Sequence, residues 1–332
     1  MNCGLIGYPL GHSYSPQIHR ALADYDYHLW SLKPEELEAF LVKRDFAGIN
    51  VTIPYKERVI PYLDQLSDTA RAIDAVNTVV NRDGKLYGDN TDLAGMLALI
   101  RRMGLVLSGK KVLILGTGGT SKTARAAASQ LGAAEVCRVS RGGREDAITY
   151  RQAAEEHGDA ACIINTTPCG MYPDLGGCPV ELDGFPRLEG VVDVIYNPLR
   201  SELVLSARQR GIPAEGGLYM LAAQAAYASA LFRGCEATAG DIELAYRTVL
   251  RQMENIVLIG MPSSGKTTVG RLLAQRTGKE FVDTDALVEQ AVGMTVPDYF
   301  AAKGESAFRE REMEAVASAA ASGGKVIATG GG

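Results

Sequence analysis

Twice in this chain an aliphatic run is followed at once by a glycine-rich turn and then by a helix-forming stretch. The first is Val112-Leu-Ile-Leu115 leading into Gly116-Thr-Gly-Gly-Thr-Ser121. The second is Ile256-Val-Leu-Ile259 leading into Gly260-Met-Pro-Ser-Ser-Gly-Lys-Thr-Thr268. A continuous aliphatic run suits a parallel strand covered on both faces. A glycine turn that opens a helix presents oriented N–H groups and a partial positive charge, where a phosphate can sit. The pattern predicts α/β folding in more than one unit, and the 332 residues allow two or three domains.

Around the first turn the alternation continues. An Ala-rich stretch from Thr123 to Leu131 reads as a helix, Glu135 to Val139 as a strand, and Ala161 to Asn165 and Gly190 to Ile195 as further strands. That spacing predicts a doubly wound sheet. Gly116, Gly118 and Gly119, with Thr120 beside them, allow a tight turn and close approach of a pyrophosphate; Ser121 stands where G-x-G-x-x-G would place a third glycine. A purely structural turn uses glycines too, but the strand before and helix after favour a nucleotide loop. About 20 residues on, an NAD site places an acid for the ribose 2′-OH. Here the chain reads Val139-Ser-Arg-Gly-Gly-Arg144, with no acid before Glu145. Ser140, Arg141 and Arg144 suit a 2′-phosphate, which favours NADP(H) over NAD; the bland alternative is a solvated basic turn.

The front of the chain reads as a strand over Cys3 to Gly7, a polar loop, and a helix from Pro16 through Ala23. A strand over Ala47 to Pro54 follows, then a helical stretch from Lys56 to Ile73, then a hairpin of 75–81 and 85–88 turning at Asp83-Gly84. Leu218 to Phe232 and Asp241 to Gln252 read as helices. Ser13, Ser15, Asn50, Thr52, Lys56, Asn77 and Asp92 sit where these short elements end. Singly, each has an ordinary reading. Ser15 and Asp92 suit helix caps, Asn50 and Thr52 a solvent-facing strand side, and Lys56 a solvated lysine.

With a net charge of -5 and a pI near 5.5, nothing points to nucleic acid or an anionic membrane as partner. The longest apolar stretch, Leu218 to Phe232, is interrupted by Gln224 and is shorter than the ~20 residues of a membrane span. The N-terminus has no basic and apolar leader. Six scattered cysteines without a CxxC pair, and four isolated histidines, suit reduced thiols in a cytoplasmic protein and assign no metal or histidine chemistry.

Taken together, Ser13-Tyr-Ser15-Pro, Asn50-Val-Thr-Ile-Pro-Tyr-Lys56, Ala75-Val-Asn77-Thr, Gly88-Asp-Asn-Thr-Asp92, Gly116-Thr-Gly-Gly, Asn165-Thr-Thr-Pro-Cys-Gly-Met171, Asp193-Val-Ile-Tyr-Asn-Pro198 and Gly217-Leu-Tyr-Met-Leu-Ala-Ala-Gln224 resemble shikimate dehydrogenase, in order, from residue 1 to about 250. The resemblance implies an α/β substrate domain, residues 1–102 with 215–250, and an inserted Rossmann-like NADP-binding domain, residues 103–214, around an interdomain cleft. It implies Lys56 and Asp92 as catalytic residues. Ser13, Ser15, Asn50, Thr52, Asn77, Tyr196 and Gln224 would meet the substrate. Gly116, Gly118, Gly119, Thr120, Ser140, Arg141, Arg144, Asn165, Thr166, Gly217 and Met220 would meet the cofactor. The small-molecule partner implied is shikimate or 3-dehydroshikimate. An NAD-using quinate/shikimate dehydrogenase and a noncatalytic NADP-binding regulator are two rival readings; Ser140-Arg141 and the paired serines speak against the first, and the presence of Lys56 and Asp92 against the second.

Gly260 to Thr267 fits G-x-x-x-x-G-K-[ST] in full, between a strand and a helix, so backbone amides would cradle ATP phosphates, Lys266 reach the β/γ oxygens and Thr267 hold Mg²⁺. With Phe281-Val-Asp283-Thr-Asp285, Gly304-Glu-Ser-Ala-Phe-Arg309 and Thr329-Gly-Gly-Gly332, residues 255–332 resemble the front of a shikimate kinase. That implies Gly260, Gly265, Lys266, Thr267 and Thr268 at ATP, Thr267 and Asp283 at the metal, and Asp285, Arg309, Gly330, Gly331 and Gly332 at shikimate. Taken alone, Asp285 and Arg309 suit a surface ion pair. Because the motif pattern stops at Gly332, this incomplete P-loop unit is expected to be inactive as a kinase in the chain as given.

Overall fold

The computed structural model describes residues 1–11, 13–142 and 146–330. The chain forms two units, Met1–Val249 and Leu250–Gly332.

In the first unit, strands β1 (Asn2–Gly7), β2 (Asp26–Ser31), β3 (Gly48–Val51), β4 (Gln65–Leu66), β5 (Thr78–Arg82) and β6 (Lys85–Asp89) make a mixed sheet in the order β2-β1-β3-β5-β6-β4. Helices α1 (Ser15–Leu22), α2 (Leu37–Lys43), α3 (Asp68–Ile73) and α4 (Thr91–Arg102) accompany it. The β5–β6 hairpin turns at Asp83 and Gly84, both with positive φ (53° and 81°), as a two-residue primed turn requires. One face of the sheet buries Ile6, Ile49, Val51, Tyr55, Val79 and Leu86.

The stretch from Lys56 to Ile73 is not one helix. Pro61 lies in a single 3-10 turn, Ile60–Tyr62, and the chain then pairs with β6 through Asp64 N–H to Leu86 O and Ser67 N–H to Gly88 O. Ser67 then starts α3 afresh, its hydroxyl accepting from Ala70 N–H at 3.0 Å. Helical periodicity over this segment was outcompeted by a proline and an available sheet edge. Ser15 is the first residue of α1 and not its cap, which is Tyr14.

The second sheet is fully parallel: β7 (Lys111–Leu115), β8 (Glu135–Ser140), β9 (Ile148–Thr149), β10 (Cys162–Asn165), β11 (Gly190–Asp193) and β12 (Ala214–Glu215), in the order β12-β11-β10-β7-β8-β9. Its helices are α5 (Gly119–Gln130), α6 (Tyr150–Glu156) and α7 (Glu202–Gln209). Val112 and Ile114 face α4 and α5, whereas Leu113 and Leu115 face Phe185 and α7. Both faces are covered, which is why the run is aliphatic without alternation. Strand order reverses between β7 and β10, and the 116–119 turn follows β7 at that switch point.

Helix α8 (Leu218–Arg233) leaves the second sheet and lies against α4 and α1. Helix α9 (Ala239–Met253) follows, and the two units part within it. No helix among the described residues is long and apolar enough to cross a membrane. The second unit has a three-stranded parallel sheet, β13 (Ile256–Leu258), β14 (Glu280–Asp283) and β15 (Lys325–Ala328), in the order β13-β15-β14. Helices α10 (Lys266–Thr277), α11 (Thr284–Val292) and α12 (Val296–Ala320) join the strands, and α12 is broken at Gly304, where φ is 82°.

The α4–α8 contact depends on Gly95, where an added Cβ would stand 2.7 Å from the Met220 carbonyl oxygen. In an exposed helix Gly→Ala gains up to about 1 kcal/mol. Here the helices must separate, which costs about 1–3 kcal/mol. Gly95→Ala is therefore expected to destabilise the first unit, read as a lower urea midpoint at unchanged slope; a raised midpoint would mean that the contact yields freely.

Candidate active site

Lys56 is carried by a short turn after β3. Tyr55, fully buried, closes that turn through its N–H to Thr52 O and sends its hydroxyl to Leu32 O. The Lys56 carbonyl accepts from Val76 N–H at 2.8 Å, so the backbone is held from both sides. Asp92 sits in the first turn of α4. Asn90, and not Asp92, caps that helix, its side-chain oxygen accepting from Asp92 N–H at 3.1 Å. The Asp92 carboxylate is thereby released for Lys56, with Nζ to Oδ2 at 2.6 Å and the side chains only 28% and 15% exposed. Partial removal from water strengthens this charge-assisted bond over a surface pair.

Behind the pair lies a buried amide–hydroxyl network. The Asn50 amide donates to Asn77 O (3.4 Å) and Thr78 Oγ1 (3.3 Å), and its oxygen accepts from the Tyr27 hydroxyl at 2.7 Å. Asn77 donates to Thr91 Oγ1 at 3.0 Å and accepts from Thr91 N–H at 2.7 Å. Asn50 and Asn77 are 6% and 3% exposed, so Asn50 is not on a solvent-facing side of its strand. Thr52 is half-buried at the end of β3. Ser13 and Ser15 lie together at the start of α1, with Ser13 Oγ accepting from Ser15 N–H at 3.2 Å.

Tyr27, Thr78, Thr91 and His19 belong to this region as well, without having stood out among the candidate residues in the sequence. Buried His19 stacks on Tyr27 with ring centroids 4.0 Å apart and meets the Tyr25 hydroxyl through Nδ1 at 2.5 Å. Burial pushes its pKa down to about 3, so it is a neutral ring near neutral pH. Thr78 and Thr91 stood in the quoted motifs, next to Asn77 and Asp92. His19 and Tyr27 had no motif to mark them, and only their packing brings them here.

At the second sheet, Gly116 has φ 106° and an added Cβ would meet Thr166 Oγ1 at 2.8 Å. Thr166 in turn donates to Leu115 O at 2.7 Å, which fixes the base of the loop. Gly118 and Gly119 have open space where a Cβ would be, and Gly118 caps α5 without any side-chain bond. Ser121, in place of the third glycine, is fully buried and donates to Gly118 O at 2.6 Å. Thr120 is half-buried in the first turn of α5, at a helix start of the kind that suits an anion. Ser140, at the end of β8, has a hydroxyl with no partner among the described residues, and Arg141 beside it is exposed. Open space at Gly118 and Gly119, a helix start without a side-chain cap, a hydroxyl with no partner among the described residues and an exposed cation fit a phosphorylated dinucleotide. Arg144 lies outside the described residues.

Asn165 ends β10 fully buried, its amide donating to Asp193 Oδ1 at 3.0 Å and its oxygen accepting from Thr167. It braces the strand ends from inside. Asp193 also accepts from Ser201 Oγ (2.5 Å) and Ile195 N–H (3.1 Å). Half-buried Tyr196 meets Tyr14 edge-on, with centroids 6.3 Å apart, across the space between the two sheets' loops. An added Cβ on Gly217 would lie 2.1 Å from Val194 O, so the backbones there touch. Met220 is packed into the core with Leu97 and Ile100, and the Gln224 amide donates to Leu221 O at 2.9 Å.

In the second unit one cavity of about 570 Å³ is lined by the 262–267 turn together with Asp283, Asp285, Arg309, Glu312 and Thr329. Gly260 and Gly265 have positive φ, 151° and 85°. Lys266 Nζ donates to Gly260 O (2.6 Å) and Met261 O (2.9 Å), folding back over its own loop. Thr267 Oγ1 donates to Asp283 Oδ2 at 2.9 Å, and Thr268 follows in the first turn of α10. Asp285, half-buried, is pushed up by burial and then by the Asp283 and Glu312 carboxylates. Arg309 pairs with Glu312 at 2.7 Å, and Gly330 passes so close that an added Cβ would meet Glu312 and Asp285 at 2.6 and 2.7 Å. Glu312 was not among the residues singled out from sequence. Gly331 and Gly332 lie outside the described residues.

Comparison with known proteins agrees with both halves. Residues 5–79 match the family model of the shikimate dehydrogenase substrate binding domain, and residues 262–332 match that of shikimate kinase. The chain is 36% identical over 254 residues to a shikimate dehydrogenase (NADP(+)) of Clostridium perfringens, covering 70% of this chain and 92% of that protein. Among solved structures it is similar to a chorismate mutase/shikimate 5-dehydrogenase fusion protein from Clostridium acetobutylicum, with TM-score 0.70, 29% identity, 75% of this chain and 96% of the other. It is also similar to shikimate 5-dehydrogenase from Thermus thermophilus in complex with NADP(H) and shikimate, with TM-score 0.66, 31% identity, 74% of this chain and 98% of the other.

Asp193 gives the site region a pH signature. Burial pushes its carboxyl up to about 6, against three bonds that favour the anion. An unfolded carboxyl titrates near 3.9, so between about pH 4 and 6 the folded state holds a proton that the unfolded state has lost. Stability from this group therefore falls as pH rises through that window and stays lower above it, by about 2–3 kcal/mol. Asp193→Asn should remove that slope from unfolding free energies measured between about pH 4 and 7. Parallel pH profiles for the two proteins would show that Asp193 ionises normally in the fold.

Proposed function

The chain belongs to the shikimate dehydrogenase family, and on that premise we propose that it interconverts 3-dehydroshikimate and shikimate with NADP(H). The observation that carries the reading is the half-buried Lys56–Asp92 pair, poised at the end of β3 beside a network of buried amides and hydroxyls. We assign residues 1–102 with 215–250 to the substrate domain, 103–214 to the cofactor domain and 255–332 to a shikimate kinase-like P-loop domain. The proposed setting is the cytoplasm, in keeping with cysteines that are all free.

NADPH, when bound, supplies the hydride. Lys56 donates the proton from Nζ to the oxygen left by carbonyl reduction, and its charge stabilises that oxyanion beforehand. Asp92 holds the ammonium aimed, and accepts from the same hydroxyl. Ser13 and Ser15 offer hydroxyls to the substrate carboxylate, while Thr52, Asn77, Gln224 and Tyr196 complete its polar surround. Asn50 acts mainly by holding Asn77 and Thr78 in place. Gly118, Gly119 and Thr120 receive the pyrophosphate at the start of α5, and Ser140 and Arg141 the 2′-phosphate. Gly116, Thr166, Asn165 and Gly217 shape the backbone around them, with Met220 beneath. In the second unit, the 260–268 turn would hold ATP phosphates, Thr267 and Asp283 Mg²⁺, and Asp285, Arg309 and Gly330 shikimate.

The direct test is a steady-state assay of the purified chain with shikimate and either NADP⁺ or NAD⁺. Lys56→Ala should lower kcat by about 10²-fold or more, with a much smaller change in KM; wild-type kcat in that variant would remove Lys56 from the mechanism. Arg141→Ala should weaken NADP⁺ by about 1.5–3 kcal/mol and leave NAD⁺ kinetics nearly unchanged. Equal losses for both cofactors would mean that Arg141 acts through the fold.

A further inference from the structure

At the start of β8, away from the Ser140 end of that strand, three different metal-ligating side chains converge. Glu135 and Cys137 are two residues apart on a strand and so project to one face. His157, the C-terminal cap of α6, brings its ring to the same face. Cys137 Sγ lies 3.2 Å from Glu135 Oε1 and 3.8 Å from His157 Nδ1, and His157 Nδ1 lies 3.6 Å from Glu135 Oε1. Among the described residues this is the group of His, Cys and carboxylate atoms close enough together to share one ion.

We propose that Glu135, Cys137 and His157 form a binding site for a thiophilic divalent cation of the Zn²⁺ class, apart from the dehydrogenase chemistry. Bonds of about 2.3 Å to sulfur, 2.0–2.1 Å to imidazole and 2.0–2.2 Å to carboxylate, at tetrahedral angles, put ligand atoms roughly 3.4–3.6 Å apart. The three observed separations depart from that by only a few tenths of an ångström, so small side-chain adjustments admit the ion. The donor set, one thiolate, one imidazole and one carboxylate, suits Zn²⁺ or Cd²⁺ and does not suit Mg²⁺ or Ca²⁺.

The surroundings favour one orientation of the carboxylate. Lys111 Nζ holds Glu135 Oε2 at 3.1 Å and Asp159 Oδ1 at 2.9 Å, which leaves Glu135 Oε1 turned toward the sulfur and the ring. Such an outer partner orients a ligand as those of established metal sites do. Its positive charge also opposes the ion, so affinity stays below that of a closed structural site. Cys137 and His157 are half-buried and Glu135 is exposed, so the fourth position opens to water. On binding, the metal–sulfur bond replaces the S–H bond and the thiol proton leaves to solvent.

The test uses the whole 332-residue chain freed of metal by chelator and titrated with Cd²⁺. The expected result is an ultraviolet thiolate-to-cadmium charge-transfer band that saturates at one ion per chain. Cys137→Ser should abolish it, and His157→Gln should weaken binding about 10-fold or more. Cys178→Ser and Cys235→Ser, which alter exposed thiols elsewhere, should leave it unchanged. Dehydrogenase turnover in every variant reports that the chain has folded. No band in the wild-type chain, or a band that survives Cys137→Ser, overturns the proposal.

Discussion

Helix α4 holds the first unit together. Gly95 lets α8 come within touching distance of its backbone, and Met96, Leu97, Leu99 and Ile100 bury against Val112 and Ile114 of the second sheet. The same helix begins at Asn90, whose cap fixes the position of Asp92. A single element thus joins the two sheets and presents the carboxylate that meets Lys56. Interiors are packed too densely to shift gradually. The Lys56–Asp92 geometry therefore follows from a core contact made one turn further along the helix.

Much of this was written openly in the chain. The aliphatic run of β7, the glycine turn after it and the Asp83-Gly84 hairpin each express one strong local rule, and each element formed where it was expected. The Lys56 to Ile73 segment failed because its helical periodicity was real but weaker than a proline and a nearby sheet edge. The residues named at the site were legible as types in order, but not their division of labour. Asn165 and Asn50 spend their side chains inside the protein, and that depends on which neighbours the fold supplies. His19 is the extreme case: a lone histidine in a helix carries no sign that it will stack under Tyr27.

The two glycine turns make an instructive pair. In the first, Gly118 leaves the start of α5 without any side-chain cap. In the second, Lys266 folds back to satisfy the carbonyls of Gly260 and Met261. Both rest on the same helix-start electrostatics. The first has no side chain over its helix start, whereas the second lays a cation back over its own loop.

Lys122, near the start of α5, reaches from the second sheet to Glu57 at 2.7 Å and toward Asp74 at 3.8 Å, on the segments that follow β3 and α3. Glu57 is the residue after Lys56. Exposed pairs of this kind contribute about 0–1 kcal/mol and are screened by salt within about 8 Å at physiological ionic strength. Helix α5 and the turn that carries Lys56 are therefore tied together by a link that dissolved salt weakens. Added salt weakens this surface tie, while the packing of α4 against Val112 and Ile114 continues to set how the two sheets meet.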